Sequence, residues 1–67
     1  MYILSQNRDR LVNLENMDCL KVEGKGIYAQ KDDRKILLGV YRDDIAATSE
    51  YQSIIDSLEN GTVIVMD

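Results

Sequence analysis

Sixty-seven residues leave room for one domain and no second, and a chain this short buries only about 60% of its unfolded surface. With no histidine and a single cysteine, Cys19, it can build neither an internal disulfide nor the usual zinc ligand set, so self-association is the route left for extending a small core. Charge is uneven: residues 1–42 hold eight basic against six acidic side chains, a balance of +2, and residues 43–67 hold six acidic and none basic, a balance of −6, which is not the footprint of a general nucleic-acid binder.

Tyr2 to Ser5 is short, apolar and β-prone, and Gln6-Asn7-Arg8-Asp9 supplies polar turn residues. Arg10 to Leu14 reads as a second strand, so residues 1–14 form a predicted hairpin, followed by the connection Glu15 to Asp18. From Cys19 to Glu23, Leu20 and Val22 alternate with Lys21 and Glu23, the period of a half-buried strand. Gly24-Lys25-Gly26 then offers the positive φ of a tight turn. Ile27 to Lys31 is the return strand, Asp32-Asp33 a second corner, and Arg34 to Tyr41 a further strand. Strict alternation there puts Ile36, Leu38 and Val40 on one face and Leu37 and Tyr41 on the other.

The period then changes. Between Asp43 and Glu59 the apolar residues Ala47, Tyr51, Ile54, Ile55 and Leu58 form the stripe of an amphipathic helix. Asp43 is its candidate N-cap, Ser49-x-x-Gln52 a second capping signal, and Asn60-Gly61 its stop. Thr62 to Met66 is β-branched and apolar, a short closing strand. The order is β-β-β-β-β-α-β: a single α+β domain over residues 1–67, an antiparallel meander of about five strands with one C-terminal helix packed on it. The core predicted between them comprises Leu20, Val22, Ile27, Ile36, Leu38, Val40, Ala47, Tyr51, Ile54, Ile55 and Leu58. The opposite sheet face carries Leu37 and Tyr41 with Tyr28 or Ile64, and because one helix covers only one face, this points either to a sheet curled towards a partial barrel or to burial against another chain.

Met1-Tyr2-Ile3-Leu4-Ser5-Gln6, Leu11-Val12-Asn13-Leu14, Ile27-Tyr28-Ala29, Ile36-Leu37-Leu38-Gly39-x-Tyr41 and Leu58-x-Asn60-Gly61 together resemble a family of short proteins found in prophages and mobile elements of Gram-positive bacteria. The resemblance implies an origin and a fold. It carries no activity, cofactor or binding residue.

The residues for common chemistries are missing. Without histidine there is no Ser-His or Cys-His pair and no histidine base. Gly24-Lys25-Gly26 lacks the following helix of a phosphate loop. Asp32-Asp33 and Asp43-Asp44 are read as a hairpin turn and a helix cap, and Cys19 as a small buried residue. No catalytic residue, metal ligand or cofactor is expected, and the chain is not read as an enzyme. The N-terminus lacks a basic segment and a long apolar run, and no stretch is long enough to span a bilayer, which predicts a cytoplasmic protein without membrane association. The leading expectation is a non-catalytic interaction or self-assembly module, a homo-oligomer or the binder of another protein, with Leu37, Tyr41 and Tyr28 as candidate interface. The alternative is a small nucleic-acid-associated regulator using Arg8, Arg10, Lys21, Lys25, Lys31, Arg34 and Lys35 with Tyr2 and Tyr28.

Overall fold

In a computed structural model, residues 1–59 and 63–67 are described. Strands β1 (Tyr2–Leu4), β2 (Leu11–Asn13), β3 (Cys19–Glu23), β4 (Gly26–Lys31) and β5 (Arg34–Val40) precede helix α1 (Asp44–Leu58) and a closing strand β6 (Ile64–Val65). The chain is α+β, as its changing hydrophobic period predicts. The strands divide into two three-stranded sheets, β2-β1-β6 and β3-β4-β5, with a single-turn 3₁₀ helix at Leu14–Asn16 between them.

Each hairpin follows from local chemistry. Gly24 has φ +56° and Asp32 φ +55°, the positive values that two-residue turns between twisted strands demand. Asp32 is further held by its backbone N–H, which donates to Asp18 Oδ2 at 2.8 Å. The β1–β2 turn is organised by Ser5, buried at 1% exposure. Its hydroxyl lies within hydrogen-bond distance of Asn7 and Asp9 and accepts the Arg10 N–H at 3.2 Å. Asp43 caps α1, its Oδ1 accepting the Ala46 N–H at 2.8 Å. The helix runs unbroken past Ser49-x-x-Gln52. The stop at Asn60-Gly61 lies outside the described residues.

The strand the sequence leaves unplaced is β6, and it lies parallel to β1, with Ile64 opposite Ile3 and Val65 opposite Leu4. Three polar contacts hold this end. Arg8 Nη1 donates to the Met66 carbonyl at 2.8 Å, Gln6 Nε2 to the Asp67 carbonyl at 3.2 Å, and the Asp67 N–H to Glu50 Oε2 at 3.2 Å.

One cluster serves both sheets: Ile3, Val12 and Ile64 from the first, Ile27, Ala29 and Leu38 from the second, Ile54 from the helix, and Met66. Ile64, expected on the outer face, points inward instead because it lies level with Ile3 of β1. Leu20, Val22, Ile36, Tyr51 and Leu58 pack around it, half-buried. Tyr51 also donates its hydroxyl to the Leu20 carbonyl at 3.0 Å, pinning the helix to β3.

Two residues of the predicted core are corrected. Val40 is 54% exposed, because a β-bulge interrupts β5: Tyr28 pairs with Leu37 and Ile27 with Gly39, so Leu38 is an extra residue. Leu38 and Gly39 are both buried and every later position is inverted, sending Val40 outwards. Ile55 is half-buried and outside the cluster, since the helix centres its buried line on Ala47 and Ile54.

The bulge also joins the sheets. The Gln6 backbone N–H donates to the Leu38 carbonyl at 2.8 Å, and Gln6 Oε1 accepts the Val40 N–H at 2.9 Å. A residue in a parallel ladder donates to one neighbour of its partner and accepts from the other. Gln6 does this opposite Gly39, with its side-chain amide standing in for its own carbonyl. A Cβ on Gly39 would meet Gln6 Cβ at 3.0 Å and the Tyr41 hydroxyl at 3.1 Å, so a side chain here would push Gln6 or Tyr41 back by a few tenths of an ångström.

Gly39→Ala is therefore expected to cost about 1–3 kcal/mol through overpacking. Ile54→Ala is expected to cost about 2–5 kcal/mol as a buried aliphatic truncation, and Ile55→Ala clearly less. Urea denaturation of the three variants checks the order. Equal costs for Ile54 and Ile55 would contradict the assigned helix face.

Candidate functional site

The surfaces left uncovered follow from the two-sheet arrangement. Helix α1 packs on β3, β4 and β6 from the side of the shared core, so each sheet keeps an outer face. On the β2-β1-β6 sheet, Ile3 is level with Val12 and Ile64 and points inward with them. The next residues point outward and form a row across all three strands, Leu11–Leu4–Val65. Tyr2 and Val63 extend the same face. Exposure is 61% at Leu11, 59% at Val63, 52% at Val65 and 43% at Tyr2, with Leu4 half-buried between its neighbours. None of these side chains carries charge. Single exposed apolar residues are ordinary, but here five share one sheet face, and such patches mark contact surfaces.

The outer face of β3-β4-β5 is dressed differently. Lys21, Tyr28 and Leu37 stand in register across its strands. Lys35 Nζ lies 5.1 Å from the Tyr28 ring centroid and 3.1 Å from both carboxylate oxygens of Glu23, and Lys21 Nζ lies 3.4 Å from Glu23 Oε2. The Lys35 and Lys21 ammonium groups hold the Glu23 carboxyl below its ordinary pKa. These are solvent-exposed ion pairs, so they set local charge more than stability. The Tyr28 ring folds back over Gly26, its Cε1 at 3.0 Å from where a Cβ would stand. Tyr28 and Leu37 are thus brought together on one outer face.

Tyr41 is not with them. The inversion after the bulge turns it towards the core, where it packs against the buried cluster. The proposed basic and aromatic set does not form one face: Arg8 is tied to Met66, Lys21 and Lys35 share the one carboxylate of Glu23, Lys31 and Arg34 stand opposite each other at the end of the β4–β5 hairpin, and Tyr2 and Tyr28 lie on different sheets. The largely apolar outer face of β2-β1-β6, on which Asn13 beside Tyr2 is the polar member, was missed in the sequence. Its signal was present in the alternation Tyr2-Ile3-Leu4, apolar at every position where a one-sided strand would alternate with polar residues.

Three concavities complete the surface, one of them, of about 360 Å³, along the first turns of α1 at Asp44, Ile45, Thr48, Ser49 and Gln52. A second of about 190 Å³ lies between the Gln6–Arg10 turn and Leu37–Val40 of β5. Another of about 310 Å³ is walled by Met1, Leu14, Met17, Leu20 and Leu58. Cys19 lies on its rim and is exposed, where the sequence predicts burial: it falls on the outward phase of β3, beside buried-phase Leu20. Among the described residues, no three of the Cys, Asp and Glu side chains gather closely enough to hold a metal ion, and no helix is long and apolar enough to cross a membrane. Asp32-Asp33 and Asp43-Asp44 serve as turn and cap, as their sequence contexts predict.

One polar atom of this region is orphaned. Among the described residues, the Tyr41 hydroxyl is buried without a hydrogen-bond partner. Desolvation, reinforced by the carboxylates of Glu50 and Asp67, pushes its pKa from 10.0 up to about 12. Tyr41→Phe removes an unsatisfied group and is expected to leave stability unchanged or raise it by up to about 1 kcal/mol. The pH dependence follows from the raised value. In the unfolded chain Tyr41 ionises near 10, while in the folded chain it resists to about 12, so its contribution is intact below pH 10 and is lost as pH rises through that interval. Thermal denaturation from pH 8 to 12 should show a shallower alkaline loss for Tyr41→Phe than for the wild type. Identical alkaline limbs would show that the hydroxyl is not buried.

No protein-family model matches the chain, and neither a curated protein nor a solved structure matches it.

Proposed function

We propose that this chain is a non-catalytic interaction or self-assembly module that works through its uncovered sheet faces. The observation that carries this reading is the outer face of β2-β1-β6, where Tyr2, Leu4, Leu11, Val63 and Val65 share one uncharged surface with four of the five largely exposed. Burying apolar area is the main favourable term in association, and four of the seven exposed large hydrophobic side chains among the described residues, Tyr2, Leu11, Val63 and Val65, lie on this face. Leu37 and Tyr28 offer a second, smaller surface on the other sheet. The reading includes an origin in a phage or mobile element, which rests on the sequence resemblance, and a cytoplasmic location, which the single free cysteine, Cys19, suits.

Binding to nucleic acid is disfavoured by the same geometry. Lys21 and Lys35 already share Glu23, and Tyr28 is engaged by Gly26 and Lys35 rather than presented for base stacking.

Sedimentation equilibrium of the wild type beside Leu37→Glu and Leu11→Glu tests the module. A mass that rises with concentration in the wild type and falls back to one chain in either variant supports it. Wild-type protein that stays at one chain mass throughout, and binds DNA or RNA with an affinity falling steeply with salt, would replace it with the nucleic-acid reading.

A further inference from the structure

Resting on the self-assembly reading, we infer that the outer face of β2-β1-β6 is an isologous dimer interface whose two-fold axis runs along β1. The partner is a second copy of this chain. Three observations select that occupant and that axis.

The first is electrostatic. The chain carries a net charge of −4, so most pairings of its surface with itself bring like charges together. The side chains of Tyr2, Leu4, Leu11, Val63 and Val65 are uncharged, and this face meets its own image without that repulsion. A highly charged partner would find nothing on it to pair with.

The second is the register. Leu4 on the central strand is level with Leu11 on β2 and with Val65 on β6. In an isologous contact, residue i meets j and j meets i. An axis along β1 lays the row Leu11–Leu4–Val65 over Val65–Leu4–Leu11 of the copy. The longer leucine then meets the shorter valine on each side, and Leu4 meets Leu4 at the centre. The strands of the two chains run in nearly the same direction, the aligned mode in which twisted sheets stack about 10 Å apart.

The third concerns the alternative of edge pairing. The edges of this sheet, β2 and β6, are 3 and 2 residues long. Strands so short offer few ladder hydrogen bonds to an added strand, and short edges are a recognised guard against it. The monomer is also already closed. Its accessible surface of 4352 Å² is what the size scaling gives for a compact monomer of this mass, about 4,300 Å². Association therefore joins two folded chains by their faces and needs no exchange of segments.

The experiment is a mixing test by sedimentation equilibrium. Leu11→Glu and Val65→Lys are each expected to weaken self-association at least about a hundredfold, by burying an unpaired charge. Both positions are exposed, so the core is untouched, and far-UV circular dichroism checks the fold. Leu11→Thr, a strand-compatible change, should shift the equilibrium in the same direction. An equimolar mixture of Leu11→Glu and Val65→Lys chains should recover affinity to within about tenfold of wild type, because the proposed axis sets the new Glu against the new Lys. An axis that put Leu11 over Leu11 would leave both charges unpaired in the mixture. Failure of the mixture to recover while both variants remain folded overturns the axis. Wild-type affinity in Leu11→Glu overturns the face. If wild-type chains associate and only Leu37→Glu separates them, the module stands and this interface falls.

Discussion

Two three-stranded sheets of this length are each too small to hold a core, and what lets them share one is the seat of Gln6 opposite Gly39. Gln6 donates its backbone N–H to Leu38 and accepts the Val40 N–H on its side-chain amide, while Nε2 reaches the Asp67 carbonyl. One residue thus bridges β5, the end of β1 and the segment beyond β6. The bulge at Leu38 makes this possible by directing the Leu38 carbonyl and the Val40 N–H to the turn that follows β1, and glycine makes it possible by leaving room for Gln6 Cβ. Leu38, Ile27 and Ala29 then join Ile3, Val12 and Ile64 in a single cluster. In a chain with neither disulfide nor histidine, that shared burial is the main source of stability.

The same joint decides which surfaces stay open. With both inner faces directed at one helix, both outer faces are left to solvent. They differ in character because of what the strands carry on their outward phase. Lys21, Glu23, Tyr28 and Lys35 make the meander face a polar mosaic in which two ammonium groups share one carboxylate. The face of β2-β1-β6 has only apolar side chains in the corresponding row. Of the two, the second costs less to bury, since the desolvation of charged groups opposes burial of the first.

The acidic character of residues 43–67 is absorbed in part by local structure. Asp43 caps the helix and Glu50 accepts the N–H of Asp67, so these carboxylates serve the backbone. Two of them leave a trace on a neighbour: Glu50 and Asp67 add to burial in keeping the Tyr41 hydroxyl protonated.

The α+β class, the order of strands and helix, the tight turns and the Asp43 cap could all be read in the sequence, because each rests on contacts between near neighbours. Positive φ at Gly24, the switch from period two to period 3.6 after Tyr41, and the cap oxygen three residues before Ala46 are properties of short segments. The tertiary structure alone decided the rest. The parallel pairing of β6 with β1 joins distant parts of the chain, and no local pattern encodes it. The extra residue at Leu38 presents its carbonyl to the N–H of Gln6, more than thirty residues away. It turned Val40 outward and Tyr41 inward against a perfect alternation. A period-two strand read in isolation carries no record of a bulge, and a single inserted residue exchanges the two faces of everything after it.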